Sequence, residues 1–317
     1  MDNFFIVAKQ VWILFALIGA GALCRKTRLV DENSVKGIVN VLVIAVTPCL
    51  IVQVFQRPFE PEMLRQLGLS FLVAILAHMT IIALSGLLGR NSGEKRMPVV
   101  RLAMVFSNAG FMGIPLEQAI LGDKGVFFGI TYVAVFNLFM WSWGLKTMLG
   151  GSSGREGRQA VIRTMIVNPG TVGLATGLAL FLFSIRLPEV VATPVSMMAS
   201  MNTPLAMLVI GYYLAGAKLG PIAQSPESYL VAFVRLVAYP LALIACLIPF
   251  RGIFERDMML ALVTAASAPV AAMVAMFAAK YGRDVDLSVG LVSGTTLLSM
   301  LTMPVIIALA MSLIPAI

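Results

Sequence analysis

Apolar residues gather along the chain into ten long runs, at about 5–24, 35–56, 67–89, 98–121, 125–147, 164–185, 190–217, 228–250, 257–280 and 286–315. Each approaches or exceeds the roughly 20 apolar residues with which a helix crosses the hydrocarbon of a bilayer. The pattern predicts an all-α polytopic membrane protein of ten transmembrane helices, with almost nothing left for a soluble domain. The first run is expected to remain as a helix. Met1-Asp2-Asn3 precedes it and Arg25-Lys26 follows, without the basic leader and small-residue cleavage site of a secretory signal.

Composition agrees: 59% of the 317 residues are hydrophobic and 12% charged, with a mean hydropathy of +0.94. The net charge of +8 raises the question of nucleic acid, and the placement of the basic residues answers it. Odd-numbered connections hold fifteen Lys and Arg, including Arg25, Lys26, Lys95, Arg96, Lys280 and Arg283, and even-numbered ones hold six. By the positive-inside rule the odd connections are cytoplasmic and both termini lie outside. The basic charge is therefore a topology signal and no nucleic-acid partner is expected. Two cations remain inside runs, Lys9, close enough to an end to snorkel, and Arg235. Cys24, Cys49 and Cys246 have no paired spacing, so neither a disulfide nor a metal site is expected, and no cofactor.

The one long glycine-rich polar stretch, Gly150-Gly151-Ser152-Ser153-Gly154-Arg155-Glu156-Gly157-Arg158, lies at the midpoint. It divides the chain into a five-helix unit over 1–149, a cytoplasmic linker over 150–163, and a second five-helix unit over 164–317. An odd number of spans per half means that homologous halves are inserted upside down to each other, as in many secondary transporters. Internal similarity supports the division. Thr47-Pro48 in the second span recurs as Thr203-Pro204 in the seventh, 156 residues on, and Pro115 in the fourth recurs as Pro269 in the ninth, 154 residues on. Proline removes a backbone hydrogen bond, and broken backbone at membrane depth survives only against protein or a watery cavity. Prolines in membrane helices also serve as simple packing kinks, and for Pro48 and Pro204 that alternative stands equal.

The segment Ser107-Asn108-Ala109-Gly110-Phe111-Met112-Gly113-Ile114-Pro115 sets polar and glycine residues in mid-span. Gly110 and Gly113 permit non-helical dihedrals and Pro115 is preset for a first helical turn, which predicts a helix that stops near Asn108 and restarts at Pro115. Ala265-Ala266-Ser267-Ala268-Pro269 repeats the arrangement in the ninth span. With inverted halves, the two broken helices cross and two positive helix ends meet. Such a point binds an anion, with Ser107, Asn108 and Ser267 as hydrogen-bond donors. Further mid-span polar groups are Thr47, Asn137, Asn202, Thr203, Thr295 and Thr296, with Tyr132, Trp141 and Trp143 as aromatic candidates. Each hydroxyl has the alternative of bonding its own helix. Glu117 is the one carboxylate expected within the hydrocarbon, either functional or facing a solvated outer vestibule. Asp284 and Asp286 beside Lys280 and Arg283 read as a solvated helix end or a gate. A single histidine, His78, excludes a paired-histidine metal motif, and Gly290-Leu291-Val292-Ser293-Gly294 is not a hydrolase elbow.

These residues together resemble the auxin efflux carrier family, and among its members the bacterial malonate and malate permeases. The resemblance runs over the whole chain and is most specific over Ser107 to Pro115. It implies the fold of bile acid sodium symporters and NhaA-like carriers, with spans 1, 2, 6 and 7 as scaffold and spans 3 to 5 and 8 to 10 as a mobile transport domain. It further implies an elevator-like step, a homodimer in a bacterial inner membrane, and no enzymatic activity. Asn108 matches the family's crossover asparagine and Pro115 and Pro269 its crossover prolines, and Asn137 resembles a polar position lining the site. No acid stands in the third span where some relatives have one, which leaves H+ or Na+ coupling open. The reading is a secondary transporter of a small carboxylate. The alternatives are a sodium-coupled symporter of bile-acid-like acids and a non-transporting sensor on a transporter scaffold. Thr47, Pro48, Glu117, Asn202, Thr203 and Pro204 are secondary candidates for the lining.

Overall fold

The computed structural model describes residues 2–89, 92–150, 169–216 and 225–314. Most of the expected linker, 151–163, and with it Arg155, Arg158 and Arg163, lies outside the described residues, as do Arg90 and Lys218. Among the described residues every regular element is a helix. In chain order these are α1 (Asp2–Lys26), α2 (Glu32–Val54), α3 (Pro61–Leu88), α4 (Met97–Val105), α5 (Ala109–Leu149), α6 (Pro169–Leu182), α7 (Glu189–Ala215), α8 (Pro226–Phe250), α9 (Arg256–Ser267), α10 (Ala272–Lys280) and α11 (Val285–Leu313). Seven of them, α1, α2, α3, α5, α7, α8 and α11, are long and apolar enough to cross a membrane. Large apolar side chains stand exposed on their outer faces, such as Trp12, Leu72, Met79 and Leu301. In a chain this apolar, that is the face for lipid.

Gly122, at φ 65 and ψ −159, divides α5 into a short limb, 109–121, and a long one, 123–149. Only glycine adopts that conformation without strain. The apolar run at 98–121 is thus realised as α4 and the short limb, and the run at 257–280 as α9 and α10.

Three of the long helices share a local device. A five-residue wide turn occupies Leu42–Val46 in α2, Ala109–Gly113 in α5 and Val234–Ala238 in α8, and the second residue after each is a proline: Pro48, Pro115 and Pro240. Proline clashes with the carbonyl one turn back, and the wider i→i+5 turn relieves the clash without ending the helix. For this reason Pro115 does not open a helix. The α5 helix restarts at Ala109, six residues ahead of the expected position, and Pro115 lies inside its first turns.

Helix α1 packs along α7, and the two backbones touch through glycines. A Cβ placed on Gly211 would overlap the carbonyl oxygen of Ile18, and one on Gly21 that of Leu208. Small residues at such a crossing are what let helices pack closely in lipid. Gly211→Ala should therefore cost about 1–3 kcal/mol of overpacking, read as a fall of a few degrees in the melting temperature of the purified protein. Gly19→Ala on α1, where a Cβ meets nothing within 4 Å, should leave it unchanged. Equal melting temperatures for the two variants would contradict this packing.

Candidate functional site

The site begins where α4 and α9 stop. After Val105 the backbone extends, with Phe106 at φ −100 and ψ 110. After Ser267 it extends again, with Ala268 at φ −63 and ψ 149, the conformation that a following proline imposes. The two extended pieces run antiparallel and pair, Ser107 opposite Val270. Asn108 N–H donates to the Pro269 carbonyl at 2.7 Å, and Ala271 N–H donates to the Phe106 carbonyl at 2.9 Å. Val270 N–H, which points away from the bridge, donates to Thr295 Oγ1 on α11 at 3.1 Å. Pro269 has no N–H to satisfy, so it fits a stretch without helical partners and contributes its carbonyl alone. It does not open the next helix, which starts three residues later at Ala272.

Both helices restart immediately beyond the bridge. In α5 the Asn108 carbonyl accepts from Met112 at 2.9 Å and Gly113 at 3.3 Å, which leaves the N–H groups of residues 109–111 without helical partners. In α10 the Ala271 carbonyl accepts from Val274 at 3.0 Å, leaving Ala272 and Met273 in the same state. A cavity of about 590 Å³ opens onto both starts, touching Gly110 and Phe111 on one side and Ala271, Ala272 and Met273 on the other. Its volume lies in the range of small-molecule sites.

Four more surfaces complete the wall. The bridge contributes Ser107 and Asn108. The long limb of α5 contributes a mainly apolar face that includes Val133, Ala134, Asn137 and Trp141. Helix α2 contributes Val43, Thr47 and Ile51, and α6 contributes Pro169, Gly170, Thr171 and Leu174. The polar groups are few and differ in availability. Ser107 is fully buried and its hydroxyl has no partner among the described residues. Asn108, 7% exposed, makes no side-chain hydrogen bond among the described residues. Asn137 donates its amide to the Val133 carbonyl of its own helix at 2.9 Å, and Thr47 donates to Asn202 Oδ1 across to α7 at 3.4 Å. Ser107 and Asn108 are thus the side chains free to meet a guest.

A family model described as "Membrane transport protein" matches residues 6–307. The chain belongs to that family, the auxin efflux carriers. An uncharacterized transporter of Methanothermobacter thermautotrophicus is 29% identical over 228 residues, 68% of this chain and 68% of its own. Both matches are to transporters, not enzymes, and with the long apolar helices they make this carrier a multi-pass membrane protein.

Of the residues singled out in the carrier's sequence, Ser107, Asn108, Gly110, Asn137 and Thr47 border the cavity, with Trp141 among the aromatics. Gly113 lies against Ala265 of α9, where a Cβ would come within 3.4 Å of backbone, so it serves the crossing rather than the wall. Ser267 is fully buried and donates to the Thr264 carbonyl of its own helix at 2.9 Å. Pro48, Pro115, Pro269, Thr203 and Pro204 shape the breaks from outside the wall, and Asn202 reaches it only through Thr47. Glu117 faces no vestibule. It is 1% exposed, without a partner for either oxygen, in a slot against Gly129. Tyr132 packs on His78 at 4.6 Å between ring centroids, away from the wall. Asp284 caps α11 and pairs with Arg96 at 3.0 Å, tying α11 to the start of α4.

Two contributors had no motif to announce them: the start of α6, and Arg235. The guanidinium of Arg235 is fully buried and donates through Nη1 to the carbonyls of Met104 at 3.2 Å and Val105 at 3.1 Å, and through Nη2 to that of Ala266. A cation inside an apolar run was the available signal.

Thr295 holds the bridge from behind, accepting from Val270 while its own hydroxyl donates to the Leu291 carbonyl at 2.6 Å. Thr295→Val keeps the shape and strands the buried Val270 N–H, which should cost about 1–3 kcal/mol in thermal unfolding of the carrier. Thr296→Val removes only a hydroxyl that donates within its own helix and should cost less. Equal losses would remove Thr295 from the bridge's support.

Proposed function

We propose that this carrier is a secondary transporter of small organic anions, carboxylates of the size of malonate or malate, moved across the cytoplasmic membrane by an elevator-type alternation. The observation that carries the reading is the cavity at the crossing. Two helix starts, each with unpaired N–H groups and a partial positive charge, open onto one space beside the unpartnered Ser107 and Asn108. No carboxylate stands among the described residues of its wall, so the lining suits an anion rather than a cation. The apolar face with Trp141 fits the carbon skeleton of the acid.

The packing supports the movement. Helix α1 lies on α7, and α2 lies on both α6 and α7, while α5 packs on α3 and α9, and α9 and α10 on α11. The cavity has α2 and α6 on one side and α5, α10 and the bridge on the other. It sits between the two groups, where a sliding domain would carry a substrate past a fixed one, although α1 also touches α11. In this reading the halves 1–149 and 164–317 are inverted repeats of five spans. The recurrence of Thr47-Pro48 as Thr203-Pro204, and the two extended pieces that pair at Ser107 and Val270, support this reading. In the same reading both termini lie outside, which the excess of basic residues in the odd connections supports.

The test uses purified protein and short mono- and dicarboxylates, with melting temperature as the screen and counterflow in liposomes as the measure of transport. A ligand that binds only the folded state raises the melting temperature, and exchange of labelled for unlabelled acid separates a transporter from a sensor. Asn108→Ala should lower counterflow at least about tenfold, the worth of a hydrogen bond to a charged group, with expression and melting temperature unchanged. Normal counterflow by that variant, or no carboxylate that stabilises the wild type, would overturn the assignment.

A further inference from the structure

We infer that Arg235 is the positioning residue of the anion site: it gathers the negative ends of both interrupted helices and supplies the fixed positive charge that the transported carboxylate balances. The inference rests on the carboxylate reading above and deepens it.

The wide turn at Val234–Ala238 places three successive residues of α8, Val234, Arg235 and Leu236, in the interior. Arg235 is among the largest fully buried side chains of the molecule. Its Nη1 bonds the carbonyls of Met104 and Val105, which end α4, and its Nη2 bonds that of Ala266, which ends α9. These are the C-terminal carbonyls that a broken helix leaves without partners. One planar guanidinium with several donors serves both ends at once, which a lysine cannot match. The Tyr239 ring covers it at 4.7 Å.

No carboxylate pairs with Arg235 among the described residues. A buried cation without a counter-ion is costly, and carbonyl dipoles neutralise only part of it. The same two helices whose negative ends Arg235 covers have their continuations, α5 and α10, starting at the cavity. The guanidinium therefore cancels the dipole ends that would repel an anion and leaves the attracting ends unopposed. Asn108 follows Val105 by three residues, so the charge lies within about 10–15 Å of the cavity. At an effective dielectric near 20 the attraction at that range is worth about tenfold in affinity per substrate charge.

A structural clamp alone would weaken every ligand alike, whereas a fixed charge weakens them in proportion to their own charge. The experiment compares malonate with its monoamide on purified wild type, Arg235→Gln and Arg235→Lys, reading binding by titration and folding by melting temperature. Arg235→Gln should reduce the preference for malonate over the monoamide about tenfold, and Arg235→Lys should keep that preference while lowering the melting temperature. An Arg235→Gln protein with the wild-type preference overturns the inference. If the glutamine variant fails to accumulate, Arg235→Lys decides alone, because loss of the preference with the charge retained is equally contrary. A wild type that binds neither ligand counts against the carboxylate reading itself, and so against the ground on which Arg235 was given this role.

Discussion

Two backbone hydrogen bonds, from Asn108 to Pro269 and from Ala271 to Phe106, make the centre of this molecule feasible. Within a bilayer a chain that leaves its helix exposes donors and acceptors that no water can reach. Here the two interrupted helices bond each other, and Thr295 takes the outward N–H of Val270. The extended stretches are only a few residues long, and the helices on either side are fixed by them. Had either strand of the bridge stood alone, its unpaired groups would each have cost several kcal/mol.

The bridge also sorts charge. Helix ends of one sign point back toward Arg235, and ends of the other sign point into the cavity. The proposed anion site thus needs no basic side chain on its wall. The surroundings divide the labour similarly. Gly21 and Gly211 lock α1 to α7, while Gly173 and Gly177 bring α6 against Pro48 and Phe55 of α2 and its following turn. Close backbone contacts of this kind suit elements that stay together. The cavity, by contrast, is walled from both groups of helices, where the proposed movement would part them.

Much of this was legible in the sequence because lipid imposes a strong pattern. The apolar runs fall where the described helices are, Pro269 marks one interruption, and the polar and glycine residues from Ser107 mark the other. What the sequence obscured was local. Pro115 suggested a helix start, but the wide turn ahead of it lets the helix begin at Ala109, and Pro269 sits in the bridge itself, three residues short of α10. Asn137 lines the cavity yet gives its amide to its own helix, a competition that polarity alone does not decide. Arg235 escaped a role because its partners are backbone carbonyls, which leave no mark in residue identity. The wall from α6 depends on glycine packing between helices distant in the chain.

In the proposed site the two helix starts and Asn108 together hold the acid's carboxylate. A structure of the carrier determined with saturating malonate tests it most directly. A carboxylate oxygen should then lie within about 3.2 Å of the Asn108 amide and of a free N–H at the start of α5 or α10. Malonate bound elsewhere, or an empty cavity at saturation, would contradict it.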